Sequence, residues 1–173
     1  MSRRQRQVVL SSVVMIAFAF PGWALAVAPE IRDMGKFFSD AAVKKANKEI
    51  REIAKNYDRD LLIETVATIP GDQAERVKAL PREERARFFR NWATDRADVA
   101  VVHGVYILVC KEPAFLEIII TPRGRQAFDK ESFEKLRDLL VKSFHEKRYD
   151  EGLQSAVDLV RERLAAAKSP ESK

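Results

Sequence analysis

Residues that build disulfides and metal centres are scarce in this chain of 173 residues, which has one cysteine and two histidines. A single cysteine excludes an intrachain disulfide framework and a cysteine-based zinc or iron–sulfur centre. Glycine and proline, at 6 and 7 residues, are too rare for a collagen-like or low-complexity chain. The glycine-rich phosphate loop, the GxSxG elbow, the HExxH motif and the EF-hand loop are all missing from the sequence. The composition therefore indicates an ordinary folded domain that carries no common catalytic signature.

One long apolar run is present, and it lies at the N-terminus. Arginines near the start of the chain precede an uncharged stretch from Val8 to Phe20, and Ala24-Leu25-Ala26 follows with small residues two apart. This order is typical of a secretory signal peptide, so residues 1–26 are predicted to be removed. The alternative is an uncleaved anchor formed by residues 8–28, which are long enough to span a bilayer. In both cases the rest of the chain is expected outside the cytoplasm, periplasmic or secreted, with membrane contact only through this segment.

A large excess of positive or negative charge is also lacking, because 31 Lys and Arg are balanced by 26 Asp and Glu. The arginines of the N-terminal segment account for much of the excess and leave a net charge of +2 for residues 27–173. Further arginines recur in the middle of the chain, at Arg82, Arg85, Arg87, Arg90, Arg123 and Arg125. Glu83 and Glu84 interleave with the first of these, so no patch of one sign dominates. A nucleic-acid partner is therefore not expected.

Helices and strands are predicted to alternate after the N-terminal segment. Apolar residues that recur every three or four positions predict four helices, which begin near Ser39, Pro81, Asp129 and Asp150. Runs rich in aliphatic residues predict strands, at Leu61–Ile69, Gly104–Cys110 and Phe115–Thr121. The last two strands are close enough to form a hairpin, whereas a helix separates the first two, which can therefore be parallel. A charged loop is expected at Asp95–Asp98.

This order of elements predicts one α/β domain. Its architecture is an α/β/α sandwich, with a small mixed sheet of three or four main strands and about four helices on the faces of the sheet. The domain is expected to cover residues 31–167, and residues 168–173 are expected to form a disordered polar tail.

Four motifs stand in order along this domain: Ile31–Ser39 (IRDMGKFFS), Arg87–Trp92 (RFFRNW), Gly104–Val109 (GVYILV) and Phe144–Gly152 (FHEKRYDEG). They resemble the motifs V-x-D-x-A-G-x-L-S, A-x-x-L-F-x-x-W, G-V-L-L-L-V and F-x-x-G-x-Y-x-x-G of the TPM domain, the thylakoid-lumen acid-phosphatase-like family. The resemblance extends from about Ile31 to Leu164, so residues 31–167 are identified as a TPM-like domain.

The resemblance implies an α/β/α sandwich and an exported protein. For some members it also implies acid phosphatase activity or a bound divalent cation, often calcium, held by loop carboxylates at one end of the sheet. Other members are accessory factors for membrane complexes. The chain departs from the family pattern at the acidic site, where Val102-His103 and Glu112-Pro113-Ala114 replace polar and acidic residues. Among the residues of that site only Asp33 aligns with the family motif, which indicates a divergent member with an eroded acidic site.

Few side chains are candidates for chemistry. Asp33, Asp95 and Asp98 are the candidate ligands of calcium or another divalent cation, because such ions prefer carboxylate oxygens; Glu112 is a further loop carboxylate. Asp33 and His103 are the candidate catalytic residues, the histidine as a general acid or base. Each also has a structural interpretation, as a solvated acid or as a loop histidine bonded to backbone. No other cofactor is expected.

Two functions from different classes follow. The eroded acidic site favours an exported interaction or accessory module at the cell envelope, with little or no catalysis, whose partner is an envelope or membrane-complex protein. The alternative is a divalent-cation-dependent acid phosphatase built around Asp33, which would hydrolyse phosphate monoesters.

Overall fold

The computed structural model of the chain describes residues 30–71 and 73–168. The predicted signal peptide or anchor and residues 169–173 of the predicted tail lie outside the described residues. Among the helices that are described, none combines the length and the apolar character required to cross a membrane.

The described residues form one mixed sheet with strands in the order β1 (Arg32–Asp33), β2 (Asp60–Thr68), β3 (Gly104–Glu112) and β4 (Phe115–Ile120). β1 and β3 pair in parallel with β2, and β3 and β4 form an antiparallel hairpin. The parallel pair and the hairpin confirm the sequence prediction. β1 has only two residues, too few to show any periodicity, and the sequence analysis missed it.

Helices lie on both faces of this sheet. In chain order they are α1 (Asp40–Tyr57), α2 (Ala74–Ala79), α3 (Arg82–Val99), α4 (Lys130–His145) and α5 (Tyr149–Lys168). Buried residues of α1, α4 and α5 share one hydrophobic core with one face of the sheet, and α2 and α3 share a second core with the other face. The α/β/α sandwich is therefore confirmed. The additional helix is α2, a single short segment of six residues.

Local sequence explains where two of the long helices begin. The Oγ of Ser39 accepts a hydrogen bond from the amide of Ala42 at 3.2 Å, and the carboxylate of Asp129 accepts one from the amide of Ser132 at 2.8 Å. Each bond satisfies an amide that the first turn of a helix leaves without a partner. Both capping residues were predicted from the sequence.

The predicted loop at Asp95–Asp98 is wrong, because α3 continues through these residues to Val99. Phe89, Ala93 and Ala97 follow one another at steps of four and are all buried. This spacing keeps one stripe of the helix against the sheet. Asp95 and Asp98 therefore lie exposed on the outer side of the helix, and Arg96 is partly buried. At the other end of the chain, α5 extends to Lys168, one residue beyond the predicted domain end.

The starts of β2 and β3 lie unusually close together at Gly104. A Cβ atom added to Gly104 would lie 2.1 Å from the carbonyl oxygen of Asp60, a distance that no side chain tolerates. The amide of His103 donates to the carboxylate of Asp60 at 2.8 Å. Glycine therefore allows the two strands to begin side by side. The hydrogen bond to Asp60 holds His103 next to the first residues of β2 and β3.

Candidate functional site

Asp33, the residue that aligns best with the acidic site of the family, lies at the carboxyl end of β1. Its carboxylate accepts hydrogen bonds from the amides of Phe37 at 3.0 Å and Phe38 at 2.9 Å, and from the hydroxyl of Thr65. The Thr65 hydroxyl in turn accepts from the amide of Gly35 at 2.9 Å. Both carboxylate oxygens therefore shape the loop between β1 and α1.

The loop that Asp33 organises packs against the C-terminal motif of the chain. The amide and hydroxyl of Ser39 donate to the carboxylate of Asp150 at 2.9 and 2.7 Å. The ring of Phe37 meets that of Tyr149 edge-on, with 5.2 Å between the ring centroids. The first and last motifs of the sequence are therefore in direct contact. Ser39, Phe37, Tyr149 and Asp150 have a structural role in holding these two segments together.

His103 and Asp98 lie at the opposite end of the sheet from Asp33. The strand register pairs Asp33 with Thr65 and Gly104 with Asp60, so five residues of β2 separate the two levels. At about 3.3 Å per residue this separation is about 16 Å. The structure therefore does not bring Asp33 together with His103.

The other candidate carboxylates are also dispersed. Asp95 and Asp98 are exposed on α3, and Glu112 is exposed at the end of β3. Throughout residues 30–71 and 73–168, no group of three or more His, Cys, Asp or Glu side chains is arranged to hold a metal ion. The fold therefore does not assemble Asp33, Asp95 and Asp98 into one group of ligands.

Two of the predicted residues, Asp98 and His103, line a cleft of about 610 Å³ between the end of α3 and strand β4. The floor of this β4 cleft is apolar and includes Ile118, Ile119 and Ile120. Its rim is polar and carries His103 and the charged side chains Arg90, Asp98, Glu117, Arg123 and Arg125. An apolar floor with a small number of charged groups at the rim is the usual composition of a binding site.

Some charged side chains of the β4 cleft form ion pairs, and others do not. The Nε of Arg90 lies 3.3 Å from a carboxylate oxygen of Glu117. Burial raises the pKa of Glu117, and Arg90 opposes this rise only in part. Within the described residues, the exposed side chains of Arg123 and Arg125 form no hydrogen bond or ion pair. The end of the cleft next to these two arginines is therefore positively charged.

The wall of the β4 cleft contains a strained apolar residue. Val101 has φ of 52°, in the left-handed region, where a β-branched side chain is a true outlier that costs about 1–3 kcal/mol. Val101 is 63% exposed, and Val99, at the end of α3 outside the cleft lining, is 86% exposed. Strained backbone beside exposed apolar surface is common at binding sites.

A buried ionic network that the sequence analysis missed lies on the α3 face of the sheet. The Glu64 side chain in β2 is 1% exposed. Its carboxylate accepts hydrogen bonds from Arg96 Nε at 2.8 Å and from the hydroxyl of Tyr106 at 2.7 Å, and a second one from Arg96 Nη2. The guanidinium of Arg96 also lies 5.7 Å from the centroid of the Trp92 ring.

The partners of Glu64 favour the ionised form of its carboxyl group. Burial alone would raise the pKa of Glu64, but the hydrogen bonds from Arg96 and Tyr106 and the charges of Arg96 and Arg32 outweigh it, so the pKa lies below its ordinary value. Burial and the Glu64 carboxylate raise the pKa of the Tyr106 hydroxyl. One signal could have revealed the network: Glu64 is a charged residue inside the apolar run Leu61–Ile69, and a buried charge requires a partner.

Cys110 and His145 are best explained by structural roles without chemistry of their own. Cys110 is 2% exposed, and burial raises the pKa of its thiol, which opposes formation of a thiolate nucleophile. His145 is exposed at the end of α4.

Comparison with known proteins identifies the family. The sequence model of the TPM domain family matches residues 31–163, which is most of the chain. No curated protein matches this sequence.

Two solved structures share the fold. The N-terminal domain of a protein from P. gingivalis, solved by solution NMR, is 16% identical, with a TM-score of 0.60 over 79% of this chain and 82% of that one. The BA42 protein from the psychrophilic bacterium Bizionia argentinensis, also solved by NMR, is 16% identical, with a TM-score of 0.54 over 76% of this chain and 84% of that one. At this level of identity the likeness concerns the fold alone.

Proposed function

The chain belongs to the TPM domain family, and from this premise we propose that it acts as an interaction or accessory module at the cell envelope, with little or no catalysis of its own. Its partner is a protein of the envelope or of a membrane complex. The β4 cleft is the observation that supports this role. It brings together an apolar floor, the exposed Val101 and two arginines, Arg123 and Arg125, that no side chain among the described residues pairs with. The envelope location is supported by the N-terminal sequence, in which a basic start precedes an apolar run.

The second candidate is the cation-dependent acid phosphatase. It is favoured by the position of Asp33 at the carboxyl end of a parallel strand, since ligands of open α/β sheets bind at that edge. Against it, the Asp33 carboxylate already accepts hydrogen bonds from two amides and a hydroxyl. A metal ion would have to displace these donors, so the interaction role is the better supported of the two.

Site-specific photo-crosslinking in cells that produce the full chain tests the interaction role. A benzophenone amino acid replaces Val101 in the cleft or, as a matched control, Val141 on α4, which is also an exposed valine at 49%. We expect a discrete adduct with one envelope protein from position 101 and none from position 141. Equal adducts from both positions, or none from position 101, would contradict the proposal.

A further inference from the structure

Within the part of the chain that the structure describes, β4 is an edge strand that pairs with β3 alone, and the β4 cleft follows its free edge. Four consecutive residues of β4, Glu117 to Ile120, line it, together with Phe133 from the opposite helical layer. Successive side chains of a strand point to opposite faces of a sheet. A cleft that contacts all four residues must therefore run along the edge of the strand.

The hydrogen-bond pattern of the hairpin identifies the backbone groups that this edge presents. The amide of Thr121 donates to the carbonyl oxygen of Gly104 at 3.0 Å, and Ile120 lies opposite Val105. In an antiparallel pair, residues alternate between bonding the neighbouring strand and facing away from it. The amides and carbonyl groups of Ile118 and Ile120 consequently point outward, away from β3.

An edge of this kind favours pairing with another strand. Three isoleucines in succession have strong β propensity, and unpaired backbone groups are a template for an added strand. The side chain of the adjoining Glu117 is 11% exposed and is bound to Arg90, so the charge of Glu117 is largely compensated.

The charges beside the edge indicate what kind of segment fits. Arg90 and Glu117 largely neutralise each other at the beginning of β4. Arg123 and Arg125 follow the strand end, and Asp98 is, besides Glu117, an acidic side chain that lines the cleft. A strand laid along Ile118 and Ile120 would place one of its ends beside the two arginines, where an acidic side chain is favoured.

We propose that the free edge of β4 binds an extended segment of a partner protein as an additional strand, and that an acidic residue of this segment pairs with Arg123 and Arg125. This inference rests on the interaction role proposed above and specifies its chemistry. Backbone hydrogen bonds to Ile118 and Ile120 supply affinity, apolar side chains of the segment fill the cleft beside Val101, and the arginines set its direction.

A peptide titration followed by NMR tests the proposal on the full chain. The probe is a synthetic peptide of alternating threonine and valine that ends in two aspartates, and its counterpart ends in two lysines. We expect the acidic peptide to bind about 10-fold more tightly, as attraction replaces repulsion at the cleft end. It should shift the amide signals of Ile118 and Ile120 and slow their hydrogen exchange.

Charge-reversal variants provide the matched control. R123E combined with R125E should reverse the preference between the two peptides. R82E combined with R87E changes the same number of charges at exposed positions on α3 and should leave the preference unchanged. Failure of the acidic peptide to bind, signal shifts away from β4, or an unaltered preference in R123E/R125E would each overturn the proposal. Concentration-dependent dimerisation through β4 that the peptide does not displace would also overturn it, in favour of a second copy of the chain.

The interaction role and the addition of a strand to β4 have separate outcomes in these two experiments. An adduct at position 101 in cells combined with no peptide binding would overturn strand addition while still supporting an interaction role. Absence of any adduct at position 101 would count against the interaction role itself.

Discussion

Arg96 of α3 binds the buried carboxylate of Glu64 in β2 through two guanidinium nitrogens. The two residues are 32 positions apart in sequence, and their contact ties the α3 layer to the sheet. Because Glu64 is almost fully buried, it depends on Arg96 for compensation of its charge.

Removing one partner of this pair should lower the free energy of unfolding more than removing both. We expect R96M to lower the free energy of unfolding by about 3 kcal/mol, because an uncompensated carboxylate stays buried. The double variant E64M/R96M should retain more stability than R96M alone. Urea unfolding of both proteins measures the difference, with R87M, at an exposed position of the same helix, as the control. A double variant less stable than R96M would contradict the expectation.

The same network should make stability dependent on acid pH. The pKa of Glu64 is lower in the folded protein than its ordinary value of 4.5, so the unfolded chain binds the proton more readily. The contribution of Glu64 is therefore fully present above that value and is lost as the pH falls through the folded pKa. We expect E64Q to show a weaker loss of stability below pH 4.5 than the parent protein, as measured by urea unfolding at a series of pH values. E52Q, at an exposed position of α1, should behave as the parent does; identical profiles for E64Q and the parent would contradict this account.

Asp33 should matter for folding. D33A leaves the amides of Phe37 and Phe38 and the Thr65 hydroxyl without their acceptor, and unpaired polar groups of this kind cost about 1–3 kcal/mol each. We expect a loss of stability in that range for the whole change. The matched control is D95A, another predicted ligand, which is exposed on α3 and should change stability by less than about 0.5 kcal/mol. Thermal unfolding compares the two, and equal effects would show that the loop does not depend on Asp33.

Calcium should not stabilise the protein. A ligand that binds only the folded state must raise the melting temperature, and the carboxylates of Asp33, Asp95 and Asp98 are not assembled in one place. We therefore expect the same melting temperature with calcium chloride or magnesium chloride as without, and no metal-dependent hydrolysis of p-nitrophenyl phosphate. A rise in melting temperature together with activity that is lost in D33N would instead support the phosphatase, because asparagine retains one acceptor oxygen for the loop.

Local pattern was sufficient to predict most elements of the fold. The N-caps at Ser39 and Asp129, the central strand β3 and the hairpin follow from interactions between residues that are close in sequence. Two errors arose where local signals compete. The polar composition of Asp95–Asp98 favours a loop, although Ala93 and Ala97 continue the helical period of Phe89. β1 was missed because two residues carry no pattern.

The candidate site depended on contacts that no local pattern encodes. From the sequence, Asp33 and His103 were candidates for the same chemistry, yet the register of β2 separates them by about 16 Å. The fold brings Arg90, Arg123 and Arg125 to one cleft, although more than 30 positions of sequence separate Arg90 from the other two.

Periodicity, capping residues, short motifs and targeting signals are local properties of the chain, and they are sufficient to predict the order of the main helices and strands, the family of the domain and export. Which charged residues meet follows instead from the three-dimensional fold: the burial of Glu64 against Arg96, the hydrogen bonds of Asp33 within its own loop, and the free edge of β4. Those outcomes depend on strand register and on how helices cover the sheet, and both are set by packing between residues that are distant in the sequence.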